Sequence, residues 1–254
     1  MSMKAFPTPK VNLGLNVKSR RADGYHELET LFVPCDAYAD VLEIEEAPAL
    51  QVEIPGADWR EEDDLTVKSW RLLADEFGIP PVRIYLEKHI PVGAGLGGGS
   101  SDAASALKLL NELFALGLSQ EALAQRAARL GSDCAFFVYN TPMLGTGRGE
   151  ILTPFALDLS QYLLLVEMPE GERVSTREAY AGIVPEPWEL PLCEALSRPV
   201  EQWRDCVFND FEASVFAAHP RIAALKDEMY ARGAVYAAMS GSGAAVFGIF
   251  SRSA

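Results

Sequence analysis

Long apolar runs are missing from this sequence. The most apolar stretch, Tyr162 to Met168, is short and broken by Glu167, so it reads as a buried strand and not as a bilayer span. The opening MSMKAFPTPK holds no apolar segment of signal-peptide length. Cysteine is sparse. Cys35, Cys134, Cys193 and Cys206 show no C-x-x-C spacing, which argues against a disulfide-stapled secreted scaffold and leaves reduced thiols in a cytoplasm as the expectation. Histidine is scarcer still: His26, His89 and His219 lie far apart without metal-ligand spacing, so a structural zinc site is excluded. Positive charge is also short. Twenty-two Lys and Arg against 36 Asp and Glu leave a formal net charge of −14. Such a surface repels phosphate backbones and anionic lipid, so neither nucleic acid nor membrane is an expected partner. Any phosphorylated ligand then needs positive charge, or a metal ion, concentrated locally.

What is present is ordinary globular usage, 49% hydrophobic and 23% charged over 254 residues, enough for one large domain or two modest ones. Val11, Leu13, Leu15 and Val17 alternate at strand period, and a basic turn, KSRRADGYH, follows over 18–26. Leu28–Phe32, Val41–Glu45 and Leu50–Ile54 read as further strands, giving an antiparallel meander. Val67, Trp70, Leu73 and Phe77 recur at helical spacing up to a stop at Gly78, and Val82, Ile84 and Leu86 alternate again. Helices are expected from the serines at 100–101 to about Gly117, and from Ser119 toward Gly131. Beyond a boundary between Pro154 and Leu159 come a strand (162–168), helices (175–182, 189–197, 209–217, 220–232) and strands (234–239, 244–250). The expectation is a two-domain α+β protein split into 1–156 and 157–254.

The most informative segment is PVGAGLGGGSSDA, Pro91 to Ala103, with five glycines in the seven positions 93–99. Without β-carbons the backbone can curl with its N–H groups turned toward a ligand. Ser100, Ser101 and Asp102 read as N-caps of the helix that follows, and a helix N-terminus favours an anion. A phosphate cradle fits better than a flexible linker, because a patterned strand precedes the run and an amphipathic helix follows it. Gly93, Gly95 and Gly98 satisfy G-x-G-x-x-G, but antiparallel strands open the chain and Pro91 sits in the preceding strand, so a dinucleotide site is out of context. No lysine lies in the loop, against a Walker A motif, and a helix follows it, against a protein-kinase loop.

Pro91–Ala104 resembles the P-x-x-x-G-L-G-[GS]-[GS]-S-[SD]-A signature of the GHMP small-molecule kinases. Five ordered blocks extend the resemblance over most of the chain: 9–32, 93–104, 130–137, 147–154 and 239–250. Together they are similar to the branch whose acceptor is 4-diphosphocytidyl-2-C-methyl-D-erythritol. The resemblance implies a ribosomal-S5 domain-2-like N-terminal domain and a ferredoxin-like C-terminal domain. It implies ATP along Pro91, Val92, Gly93, Ala94, Gly95, Leu96, Gly97, Gly98, Gly99, Ser100 and Ser101, with Mg²⁺ screening the phosphates and Ser101 aiding it. It also implies a monomer or weak homodimer acting on a small molecule.

Single residues carry two readings each. Asp133, after Gly131-Ser132 and before the apolar run Cys134–Val138, reads either as an N-cap or as the group that orients or deprotonates an attacking hydroxyl; the resemblance implies the latter. Lys10 alone reads as a solvated strand-edge lysine, whereas the resemblance makes it the partner of Asp133. Asn12, on the same strand face, is placed to bond substrate hydroxyls. Tyr25 and His26 follow the sharp Asp23-Gly24 turn; the resemblance makes Tyr25 a cytosine stacking platform and His26 a donor to the pyrimidine edge. Tyr180 is a second stacking face by the same resemblance, although Ser175 stands where the family has Pro. SGSG, Ser240 to Gly243, reads as a hairpin turn, and the resemblance puts the Gly241 backbone near substrate. Arg148 and Asp64 depart from the family pattern, Asp64 near the expected adenine pocket. Another GHMP kinase (mevalonate or homoserine), a non-catalytic nucleotide binder and an NAD-dependent oxidoreductase stay open as alternatives. The chain stops at Ala254, where the resemblance implies another helix and strand, so the expectation is that either the end is trimmed or the second domain lacks an edge element.

Overall fold

A computed structural model describes residues 2–252. Its strands are β1 (Ser2–Ala5), β2 (Lys10–Arg20), β3 (His26–Pro34), β4 (Val41–Glu46), β5 (Gln51–Glu53), β6 (Val82–Glu87), β7 (Met143–Thr146), β8 (Ile151–Pro154), β9 (Tyr162–Glu167), β10 (Tyr236–Met239) and β11 (Val246–Ser251). Its helices are α1 (Leu65–Phe77), α2 (Gly98–Leu113), α3 (Gln120–Ala127), α4 (Cys134–Tyr139), α5 (Thr176–Ala181), α6 (Leu192–Leu196), α7 (Glu212–Ala218) and α8 (Pro220–Ala231). Two compact units interleave along the chain. The first takes the N-terminal segment to Pro9, Asp36–Val92 and Gly97–Thr141; the second takes Lys10–Cys35, Gly93–Leu96 and Pro142 onward. These units are not the contiguous stretches 1–156 and 157–254. The expectation about the chain end falls on residues 253–254, outside the described ones.

In the first unit the sheet order is β1-β4-β6-β5, with β5 parallel to β6 and the other pairs antiparallel. Alternation along β6 buries Val82, Ile84 and Leu86, which face the core together with Leu42 and Ile44 of β4. Helix α2 packs on β1 and β4 and against α1, and its Ala103, Ala106, Leu107 and Leu110 are buried. Asp64 caps α1 through the Thr66 amide, and Gly78 ends it in the left-handed region.

In the second unit one sheet runs β2-β3-β7-β8 and another β10-β11-β9, both antiparallel. The expected meander is therefore divided: β2 pairs with β3 and β3 with β7, whereas β4 and β5 belong to the other unit's sheet. A parallel bridge between Leu15 and Asn209 ties β2 to the C-terminal part of the chain. Leu15, Val17, Phe211, Ile222, Met229 and Val246 share one core, covered by α7 and α8. Among the described residues no helix is long and apolar enough to cross a membrane.

Candidate active site

Three successive carbonyls of the glycine loop are held by the second unit. Ala94 O accepts from Ala245 N at 3.0 Å, Gly95 O from Ser240 Oγ and Lys10 Nζ at 3.0 Å each, and Leu96 O from Lys10 N at 3.0 Å. In a planar trans peptide the next N–H points opposite its carbonyl, so the amides of Gly95, Leu96 and Gly97 turn away from those partners. That is the polarity an anion needs. Gly95 has φ +75°, and a β-carbon there would lie 2.0 Å from the Ser240 carbonyl oxygen. Gly95→Ala is expected to lower the melting temperature, the left-handed backbone alone costing about 1–2 kcal/mol; an unchanged melt would show that the loop relaxes freely.

Helix α2 begins earlier than the serines suggest. Gly97, at φ 72°, occupies the N-cap with no side-chain capping bond. The amides of Gly98, Gly99 and Ser100 thus open the helix without intrahelical acceptors. Ser100, Ser101 and Asp102 lie inside the first turns and cap nothing. Ser101 is buried, its hydroxyl donating to the Thr8 carbonyl at 2.7 Å. Among the described residues no group of three or more His, Cys, Asp or Glu could hold a metal ion. Mg²⁺ that arrives on nucleotide phosphates keeps its waters and needs no protein cage, so this donor set fits such an ion.

Lys10 is not a solvated edge lysine. It is buried, donates to Asn12 Oδ1 at 2.5 Å and to Gly95 O, and its ammonium sits 5.4 Å from the Phe32 ring centroid. Asn12 is fixed in turn, its Nδ2 donating to Thr30 Oγ1 at 3.0 Å and its backbone N–H to Ser240 Oγ at 3.2 Å. The Asn12 carbonyl oxygen thereby orients the ammonium. Gly241 follows, its carbonyl accepting from Asn209 Nδ2 at 2.8 Å. Ser240, Thr30 and Asn209 complete this cluster. The SGSG pattern pointed to Ser240, but nothing in the spacing singles out Thr30 or Asn209.

Asp133 belongs to the first unit, at the N-cap of α4 (φ −87°), yet its side chain makes no capping bond. The apolar run after it is the helix itself, with Cys134 to Val138 buried. Burial pushes the neighbouring Cys134 thiol up to about 11.

The aromatic residues gather in the second unit. His26 stacks on Tyr180, ring centroids 4.6 Å apart at 21°, and Tyr180 meets Phe211 edge-on at 4.8 Å. Burial lowers the His26 pKa, with Arg20 adding to it, which favours a neutral ring with one donor and one acceptor. Tyr25, 57% exposed, carries the Arg148 guanidinium 4.8 Å from its ring centroid. Arg148 in turn pairs with Glu150. The turn at 147–150 is clasped to β3 by Leu28 N donating to Gly147 O and Gly147 N to Glu27. Asp64 is occupied: its carboxylate accepts from Thr66 N, Thr66 Oγ1 and Trp59 Nε1.

Below the start of α2 lies an ionic cluster that the sequence reading missed. Lys88 donates to the Asp40 carboxylate and, at 2.5 Å, to Asp102 Oδ2, while Asp40 also takes the amides of His89 and Ile90. Asp102 Oδ1 has no hydrogen-bond partner. Burial pushes the Asp102 carboxyl from the usual 3.8 up to about 8; Lys88 opposes the rise and Asp40 adds to it. The folded state thus holds a proton that the unfolded chain releases near pH 4, and this contribution to stability fades as pH rises toward 8. Asp102→Asn should remove that slope, its melting temperature gaining on the native chain's between pH 5 and 8. Parallel pH curves would place the proton elsewhere.

The family models described as "GHMP kinases N terminal domain" and "GHMP kinases C terminal" match residues 64–141 and 193–254. A 4-diphosphocytidyl-2-C-methyl-D-erythritol kinase from Bacteroides thetaiotaomicron is 50% identical over 98% of this chain and 92% of its own length. Its counterpart from Parabacteroides distasonis is 46% identical over the same shares. Among solved structures, a 4-(cytidine 5'-diphospho)-2C-methyl-D-erythritol kinase superposes with a TM-score of 0.83 at 36% identity, covering 97% of this chain and 90% of that one. A homoserine kinase from Cytophaga hutchinsonii, at 17% identity and a TM-score of 0.72 over 98% and 85% of the two chains, shares the fold.

Proposed function

This chain belongs to the GHMP kinases, within them to the 4-diphosphocytidyl-2-C-methyl-D-erythritol kinases, and from that premise we propose how it works. It is a two-domain α+β small-molecule kinase with ATP as co-substrate. The γ-phosphoryl group passes to the 2-hydroxyl of 4-diphosphocytidyl-2-C-methyl-D-erythritol, giving the 2-phosphate and ADP, on the non-mevalonate route to isopentenyl diphosphate. The reading rests above all on the glycine loop: carbonyls tied back, amides turned outward, and a helix N-terminus left open.

Phosphoryl transfer asks for positioning and charge stabilisation more than covalent chemistry. The amides of residues 95–100 are proposed to hold the ATP phosphates, with Pro91, Val92 and Ser101 shaping the loop. Mg²⁺ supplies neutralisation of the phosphate charge and would be held by the phosphates and water. Asp133 accepts or orients the proton of the attacking hydroxyl from its place at the start of α4. Lys10, fixed by Asn12 and Gly95, supports it by steadying negative charge. Tyr25 and Tyr180 offer aromatic faces to the cytosine, neutral His26 its donor and acceptor, and Gly241 its backbone to the acceptor. Segments 1–156 and 157–254 are proposed as the family's N- and C-terminal parts, the chain acting in the cytoplasm as a monomer or weak homodimer.

The test is ADP release with ATP, Mg²⁺ and the cytidylyl acceptor, beside mevalonate and homoserine. Turnover with the cytidylyl acceptor alone is the expected outcome. Turnover with either of the others instead would overturn the assignment of the pyrimidine pocket.

A further inference from the structure

His219 lies at the corner between α7 and α8, far along the chain from any motif. Its Nδ1 is 2.8 Å from Glu172 Oε2 and its Nε2 3.0 Å from Glu178 Oε1. Glu172 follows β9; Glu178 is on α5, two residues before Tyr180. Arg221 of α8 also faces the pair, 3.8 Å from Glu172 Oε1. A neutral imidazole has one N–H and one lone pair, so between two carboxylates it can donate to only one. The other carboxylate then meets a lone pair. An imidazolium donates to both.

The segment held this way is short. Helix α5 has six residues; it is also tied by the buried Ala179, by a 3.5 Å contact from Ser214 Oγ to the Ala179 carbonyl and by Thr176 Oγ1, 3.5 Å from Ser242 Oγ. Tyr180, which it carries, meets both His26 and Phe211. We propose that His219 is a positioning residue for the acceptor's pyrimidine: its protonated ring clamps α5, and with it Tyr180, so acceptor affinity falls when the ring loses its proton. The proposal rests on the reading of Tyr180 as a wall of the pyrimidine site. Hydrogen bonds to Glu178 and Glu172 raise the His219 pKa above 6.5, so the clamp is closed at and below that pH and opens as pH rises through the raised value.

The experiment measures the KM for the acceptor and for ATP between pH 6 and 9, alongside proton NMR titration of the three histidine rings. The acceptor KM should rise about fivefold or more as His219 titrates, with the ATP KM not following it. Titration of His26 would also move the acceptor profile, and Glu178→Gln separates the two. A glutamine amide can donate to the neutral ring or accept from it, so this variant should remove the part of the profile that follows His219 and leave the part that follows His26. An acceptor KM that ignores the His219 titration, or an unchanged profile in Glu178→Gln, overturns the proposal. Should the acceptor not turn over at all, the pyrimidine reading fails by itself. Cytidine 5′-monophosphate then serves as probe: if it raises the His219 pKa on binding the clamp stands, and if it leaves it unmoved the clamp is refuted.

Discussion

Asp133→Asn lowers kcat by about 10²–10⁴-fold, the usual contribution of a positioned acid–base group. Asparagine keeps the size and one acceptor oxygen but cannot take the hydroxyl proton. Asparagine is nearly isosteric with aspartate, so the fold should register the change little; a shift within about 1 kcal/mol is expected by denaturant melt. ATP affinity, which the proposed function assigns to the loop amides, should stay within a few-fold by calorimetry. This combination, turnover lost with binding and stability retained, separates chemistry from structure. Near-native turnover in the variant would remove the carboxylate from the reaction.

Tyr25→Ala raises the acceptor KM by about 5- to 150-fold, corresponding to the roughly 1–3 kcal/mol that one base–aromatic stack contributes. Tyr25 is 57% exposed, so the core loses little and the melt should be unchanged. The ATP KM should not move. Tyr25→Phe should retain most of the affinity, since the face and not the hydroxyl stacks, and Arg148 still has a ring to cover. Steady-state kinetics with each substrate varied in turn decides it. Equal weakening of both substrates would refute the stacking role.

The local grammar of the chain was readable where one interaction dominates. Alternation found β2 and β6, Gly78 ended α1 as expected, and Ser119 caps α3 through the Ala122 amide. The start of α2 was misread because Ser and Asp are favoured caps in general. Here the preceding glycines enter the helix first and leave its end uncapped. Lys10 looked solvated because its partners, Gly95 and Phe32, are remote in sequence. The same reason hid Lys88, Asp40 and His219: each is defined by side chains that meet only after long loops close. The division of the meander was illegible too, since alternation tells which face of a strand is buried but not which sheet receives it.

The interleaving of the two units bears on synthesis. β2 and β3 leave the ribosome early, yet β3 pairs with β7, and the bridge from Leu15 waits for Asn209. The carbonyl of Ala94 waits longer still, for Ala245. At translation speeds of about 5–20 residues per second, an apolar strand such as Val11–Val17 spends a time on the order of 10 s without its final neighbours. The last residue of the first unit is Thr141, so all of that unit is made before β7. The stretch that carries Lys10, Asn12, Tyr25 and His26 is therefore among the first made and the last finished. The nascent chain's exposure to chaperones and proteases is concentrated there.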